Sequence, residues 1–312
     1  MLGPAPLLIT SLILCTHNPR PDYLAATVEG LRAQTLPRER WEFLLIDNAS
    51  APGRDPKVDL SWHPCARVIR EETVGLTPAR LRGIREAKGD LLVFVDDDNI
   101  LDPDYLETAV RIAGERLFLG AWSGQCRPVF EEEPPEWTRR YWGNLVIRKF
   151  EQDTWSNLPR LGETMPCGAG LCVRREVARF YLDLHETGKR DFQFDRTGDS
   201  LVSGGDNDLA ACACDLGMGV GLMAALKLRH LIPPVRLTVD YLARLAEGIY
   251  FSAVILDAIR DGLATAEQRW KVRLRERLRS LAYPAPHRRI QLASLRGRTR
   301  GLESLRSGIR LR

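Results

Sequence analysis

The chain has 312 residues, 44% of them hydrophobic and 28% charged, with a formal net charge of +4. That is ample material for a large buried core and excludes a small disulfide or zinc module and a mainly disordered chain. No apolar run approaches the ~20 residues of a membrane span, and the N-terminus lacks the leader and cleavage site of a signal peptide. The expectation is a cytoplasmic protein, soluble or peripheral at the inner face of the cell membrane.

In chain order, residues 7–15 (LLITSLILC) read as a buried strand. Pro19 and Pro21 precede a helix with Leu24, Val28 and Leu31 at i, i+4 and i+7. Trp41–Asp47 is a second strand and Arg67–Glu71 a short third. Thr77–Ala87 reads as a helix with Pro78 in its first turn. Asp90–Asp96 is again an apolar strand, and Asp102-Pro103 reads as an N-cap and first residue of a helix through Ile112. The order β-α-β-β-α-β-α, with strands apolar on both faces, predicts an α/β fold with a mostly parallel sheet flanked by helices. Ligands bind beyond the carboxyl ends of such strands. That singles out Thr16-His17-Asn18, Asp47-Asn48 and Asp96-Asp97-Asp98-Asn99.

Residues 128–160 are rich in Pro and aromatics, 166–230 return to mixed elements with Gly-rich punctuation at 168–170, and 234–280 read as largely helical. No internal repeat is present. The seven cysteines form no CxxC pair and read as reduced, mostly buried thiols rather than zinc ligands. Residues 269–312 hold fourteen basic and two acidic residues, a net of +12, which leaves an acidic body of net −8.

Three constellations carry candidate chemistry. Asp96, Asp97 and Asp98 end a buried strand, where like charges repel; a divalent cation bridging them to phosphate gives a reason for the cluster, against the plain reading of a polar turn. In Ser203-Gly204-Gly205-Asp206-Asn207-Asp208, a helix begins near Asp206. Its carboxylates either cap that helix or provide a general base. In Arg229-His230-Leu231-Ile232-Pro233-Pro234-Val235-Arg236, His230 either completes a metal site, contacts a phosphate or is structural, and Arg236 suits a phosphate. Gly217-Met218-Gly219-Val220-Gly221 lacks dinucleotide spacing and reads as a turn before a strand. Neither a Walker motif nor a G-x-S-x-G elbow occurs.

In this order, Ser11–Asn18, Leu45–Ser50, Val74–Gly83, Phe94–Asp98 and Gly204–Leu209 resemble the motifs of family 2 glycosyltransferases of the GT-A fold. The resemblance covers roughly residues 8–245. It implies a transfer domain over 1–250, with a Rossmann-like nucleotide-sugar-binding half (1–125) and an acceptor-binding half (126–250), and a helical basic extension over 251–312. It implies a donor site of Thr16, Asn18, Asp47, Asn48, Gly75, Arg80, Asp96, Asp97 and Arg236. Asp98, with His230, would hold Mn²⁺ or Mg²⁺, and Asp206 would be the base of a single inverting displacement. Trp137, Tyr141, Trp142 and Trp155 offer either flat faces to an acceptor sugar or a small aromatic core, and Gly205 belongs to the acceptor side.

Two departures stand out: Gly205 replaces the family's Glu before the base, and Leu81 replaces the Asn of A-R-N. Arg269-Trp270 recurs in the motif of processive synthases, but Ala266 stands at its first position, which favours single-sugar transfer. The expected partners are a nucleotide-diphosphate sugar, UDP-linked at family level, and a saccharide or lipid-linked acceptor, for polysaccharide or glycolipid assembly. Thr265–Leu281, with Leu274, Leu278 and Leu281 on one face, reads as a helix for an anionic membrane surface, as a nonspecific phosphate-binding tail or as a solvated helix. No specific nucleic acid is implied. A sugar nucleotidyltransferase and a noncatalytic glycan-binding protein of the same fold are the rival readings.

Overall fold

The computed structural model describes residues 10–159, 162–190, 192, 194, 201–261 and 283–307. The elements are β1 (Thr10–Thr16), α1 (Pro21–Arg32), β2 (Trp41–Asn48), β3 (Ala66–Glu71), α2 (Leu76–Glu86), β4 (Leu91–Asp96), β5 (Asn99–Leu101) and α3 (Tyr105–Glu115). They continue with β6 (Leu119–Phe130), a 3₁₀ helix at Glu136–Leu145, β7 (Thr154–Ser156), β8 (Leu171–Arg174), α4 (Arg175–Glu186) and α5 (Gly205–Asp215). β9 (Gly219–Ile232), a 3₁₀ turn at Pro234–Leu237, α6 (Val239–Asp261) and α7 (Ala285–Arg306) complete the order. The elements run through both expected boundaries: residue 125 lies inside β6 and residue 250 inside α6.

Every residue of β1 and β2 is buried, because both faces of these strands are covered. Successive side chains point to opposite faces. Leu12 and Leu14 therefore join Leu24, Val28 and Leu31 of α1 and Leu106, Ala109 and Ile112 of α3, whereas Ile13 and Cys15 join Ala79 and Ile84 of α2, Val177 of α4 and Leu209 of α5. The nine-stranded sheet has the order β3-β2-β1-β4-β8-β6-β9-β5, with β7 also on β9. β1 to β4 are parallel to one another, β6 is parallel to β9, and β8, β5 and β7 run antiparallel to their neighbours. The register sets Thr16 beside Asp47 and Cys15 beside Asp96, so the polar strand ends share one rim.

One expectation changes. Asp102 does not cap α3, which starts at Tyr105 with Asp104 at the cap. The Asp102 side chain is drawn instead into an ion pair with Arg127, and its N–H donates to Lys227 O at 3.1 Å, which extends the β5 edge. The basic extension is helical over Ala285–Arg306, and it is packed rather than free. α7 lies along α6 and buries Ile290, Ala293 and Leu302. Gly297 sets the approach: a Cβ there would fall 2.1 Å from Glu247 O. Part of the basic excess is neutralised by this pairing, through Arg289 to Asp240 and through Arg296 and Arg300 to Glu247. Residues 7–9 of the first strand and all of 265–281, with Arg269, Trp270 and the Leu274 face, lie outside the described residues. Among the described residues no helix is long and apolar enough to cross a membrane.

Candidate active site

A cleft of about 540 Å³ opens at the carboxyl ends of β1, β2 and β4. Of the sequence-derived site residues, Thr16, Asn48, Gly75, Arg80, Asp96, Asp97, Asp98, Gly205, Asp206, His230 and Arg236 line it. Six separate stretches of chain thus meet where an open α/β sheet places its ligand.

The floor is built by strand-end side chains that tie neighbouring turns together. Asn48 accepts the Gly75 N–H at 2.8 Å and donates to Thr73 O at 2.6 Å, fixing the loop that enters α2. Gly75 has φ 139°, a backbone that side chains rarely allow. Asn18 and Asp47 support this floor without lining it. Asn18, left-handed at φ 49°, accepts the Ala51 N–H at 2.9 Å. Asp47 is buried and accepts from Arg70 Nη1 at 2.6 Å.

Thr16 Oγ1 donates to Asp97 Oδ2 at 2.5 Å. Burial and then the charge of Asp98 push the Asp97 carboxyl up to about 7, against that donation. Asp98 behaves oppositely. Burial would raise it, but the Arg236 guanidinium and His230 outweigh burial and hold it well below the usual carboxylate range. Asp98 Oδ2 lies 2.7 Å from Arg236 Nη2 and 3.4 Å from His230 Nε2. β5 brings these together, because its antiparallel register on β9 sets Asn99 opposite His230.

Across the cleft, α5 starts at Gly205 behind Gly204, whose φ of 123° turns the chain sharply. This places Asp206 in the first helical turn, where its Oδ2 accepts the Gly168 N–H at 2.6 Å. Arg80 is buried between the two sides, with Nη2 4.0 Å from Asp96 Oδ1. Burial works against its charge, but Asp206 and then Asp96 outweigh that and raise its pKa. Asp208 points away from the cleft. It is buried in ion pairs with Arg260 at 2.7 Å and Arg190 at 3.0 Å, a structural clamp on α5.

Trp137 and Trp142 lie outside the lining. Trp137 packs on Tyr141 and on His287 of α7, and Trp142 packs on Phe130 with its Nε1 donating to Thr138 Oγ1 at 3.2 Å. Trp155 packs against Phe118 with the rings tilted, centroids 4.7 Å apart. Gly168, Phe194 and Val146 also line the cleft, and sequence reasoning missed them as site residues. The Gly168-Ala169-Gly170 spacing was the available signal for the first. Val146 holds φ 63°, unusual for a β-branched residue, and no sequence pattern marks it.

The sequence matches the family model "Glycosyl transferase family 2" over residues 11–180, more than half of the chain. It is 31% identical to EpsH of Bacillus subtilis over 114 residues, 35% of this chain and 31% of that protein. It is 24% identical over 198 residues to the glucosyl-dolichyl phosphate glucuronosyltransferase of Haloferax volcanii, covering 62% of this chain and 59% of that one. The match thus spans 31% of the first relative's length and 59% of the second's. The fold is similar to that of the mannosyltransferase PcManGT from Pyrobaculum calidifontis, solved with GDP-Man and Mn²⁺, with a TM-score of 0.55 at 18% identity over 96% of this chain and 76% of that one. With its mostly parallel sheet flanked by helices, this is the GT-A architecture, and the chain belongs to glycosyl transferase family 2.

Proposed function

We propose that this glycosyltransferase moves one sugar from a nucleotide-diphosphate sugar, UDP-linked in our reading, to an acceptor hydroxyl with inversion at the anomeric carbon. The observation that carries the reading is the meeting of Asp96–Asp98 and Asp206 on one cleft, with the buried Arg80 between them. Its setting would be polysaccharide or glycolipid assembly, with a saccharide or lipid-linked acceptor.

Asp98 and His230 bring an oxygen and an imidazole nitrogen within 3.4 Å of each other, a donor set that suits Mn²⁺ or Mg²⁺. Two ligand atoms ~2.1 Å from one octahedral ion lie about 3 Å apart, so the spacing fits. Among the described residues no third His, Cys, Asp or Glu gathers with them. When bound, the cation neutralises charge developing on the leaving diphosphate.

The chain's own groups do the rest. Thr16, Asn48, Gly75, Asp96 and Asp97 hold the nucleoside end, with Asn18 and Asp47 bracing the turns beneath it. Arg236 contacts the diphosphate. Asp206 takes the proton from the attacking hydroxyl, and the Gly168 N–H aims its carboxylate. Gly205, on the acceptor side of our reading, starts α5 beside the base, where a Cβ would meet Thr77 Oγ1 at 3.2 Å. The packing of Trp137 and Trp142 supports a core role for both.

Incubation with UDP- and GDP-sugars, Mn²⁺ and candidate glycan acceptors tests the proposal. Release of nucleoside diphosphate with an inverted glycoside is expected. Binding without turnover across the panel contradicts it and points to a noncatalytic binder; no transfer from the nucleotide sugars, with pyrophosphate released when a nucleoside triphosphate and a sugar 1-phosphate are supplied instead, contradicts it and points to a nucleotidyltransferase.

A further inference from the structure

Taking Asp98 and His230 as the cation ligands proposed above, we infer that Arg236 is an internal placeholder cation that competes with the metal and makes metal and diphosphate binding depend on each other. The guanidinium occupies both candidate ligands at once. Its Nη2 lies 2.7 Å from Asp98 Oδ2, and its Nη1 lies 2.9 Å from His230 Nε2. These are the two atoms, 3.4 Å apart, that a single cation would share.

The local chemistry favours this state when no metal is present. Asp98 is buried, and its other oxygen accepts from Asn99 Nδ2 at 2.8 Å. An unpaired carboxylate there would be costly, so Arg236 acts as its counter-ion. Because Arg236 donates to His230 Nε2, the ring proton sits on Nδ1, which is buried with no partner among the described residues. Nε2 therefore already carries the lone pair that a cation takes.

Arg236 sits in the 3₁₀ turn Pro234–Leu237, immediately beyond β9, and its side chain is 23% exposed, so it can swing toward the cleft it lines. A cation that enters alone must displace the guanidinium and leave it unpaired. A cation that enters with a nucleoside diphosphate gives Arg236 new phosphate partners. The two ligands then favour each other through a single side chain, and the coupling is reciprocal.

Electron paramagnetic resonance of free Mn²⁺ tests this on the full chain, without nucleotide and then with UDP or GDP. The proteins are wild type, Arg236→Gln, Arg236→Lys and Asp98→Asn. Without nucleotide, Arg236→Gln is expected to bind Mn²⁺ about tenfold more tightly than wild type, within the usual range of such couplings. Arg236→Lys keeps a positive charge and should stay near wild type. With nucleotide the advantage of Arg236→Gln should shrink or reverse. Its metal-free melting temperature should fall, and Mn²⁺ should raise it more than in wild type. Nucleotide-free Mn²⁺ affinity in Arg236→Gln equal to or below wild type overturns the placeholder role. If wild type binds Mn²⁺ and Asp98→Asn does not, that failure leaves the metal site standing. If wild type binds no Mn²⁺ in any state, the metal reading falls with it.

Discussion

The backbone N–H of Gly168 donates to Asp206 Oδ2 at 2.6 Å, so the acidic side chain proposed as the base is aimed by a loop 38 residues earlier in the chain. That loop is itself held. Arg148 donates to Met165 O at 2.8 Å, Ser123 Oγ accepts the Cys167 N–H at 3.2 Å, and the buried Tyr105 hydroxyl donates to Gly170 O at 2.7 Å. A Cβ on Gly168 would lie 2.5 Å from Arg80 Nη2 and 3.1 Å from Asp206 Oδ2. Gly168→Ala is therefore expected to lower kcat by about tenfold to a hundredfold through misplacement of the base, while the protein stays folded. Steady-state kinetics beside a thermal melt checks it; unchanged kcat would show that the loop does not set the geometry.

Asp208 is the other carboxylate of that helix, and its work is structural. Its side chain is 1% exposed and is paired with Arg260 (5%) and Arg190 (12%). Asp208→Ala removes the carboxylate shared by two guanidinium groups, of which Arg260 keeps Asp215 at 3.0 Å, and should cost about 3 kcal/mol in urea denaturation. A loss under 1 kcal/mol would mean that the clamp is dispensable.

Gly297→Ala distinguishes close helix packing from helix propensity. In an isolated helix the change stabilises by about 1 kcal/mol. Here the new methyl would meet Glu247 O at 2.1 Å, which is backbone and cannot step aside. The sign should invert, with a loss of roughly 1–3 kcal/mol on overpacking. Denaturant midpoints of the two proteins decide it.

His63 packs edge-on against Trp41, with ring centroids 4.2 Å apart. Burial, and then the charge of Arg38, lower its pKa from 6.5 to about 4. The unfolded chain therefore binds this proton more readily than the folded one. Stability from the neutral ring is fully present above pH 6.5 and is lost as pH falls toward 4. His63→Phe should flatten that part of the stability–pH curve, measured by urea denaturation at several pH values; an unchanged slope contradicts the assignment.

Much of this architecture was legible because β1, β2 and β4 are short, apolar on both faces and closed by polar residues, a pattern with few alternatives. The cleft followed from asking what lies just past those strands. What stayed hidden depended on long-range pairing. The ion pair that takes Asp102 from the helix cap needs Arg127, and the Asp208 clamp needs Arg260, partners that no local spacing reveals. The same holds for α7, whose Gly297 and arginines make sense only beside Glu247. Trp137 and Trp142 show the converse: aromatic composition alone could not separate a sugar platform from the cluster around His287 and Phe130.

The reaction proposed here rests on Asp206 taking a proton while the donor is held on the opposite wall. Sugar transfer and nucleotide affinity measured side by side for wild type and Asp206→Asn test that division of labour most directly. Transfer should fall by ~10²–10⁴-fold, the range of a lost general base, with nucleotide affinity within about twofold of wild type. An Asp206→Asn enzyme that turns over at the wild-type rate would contradict the account.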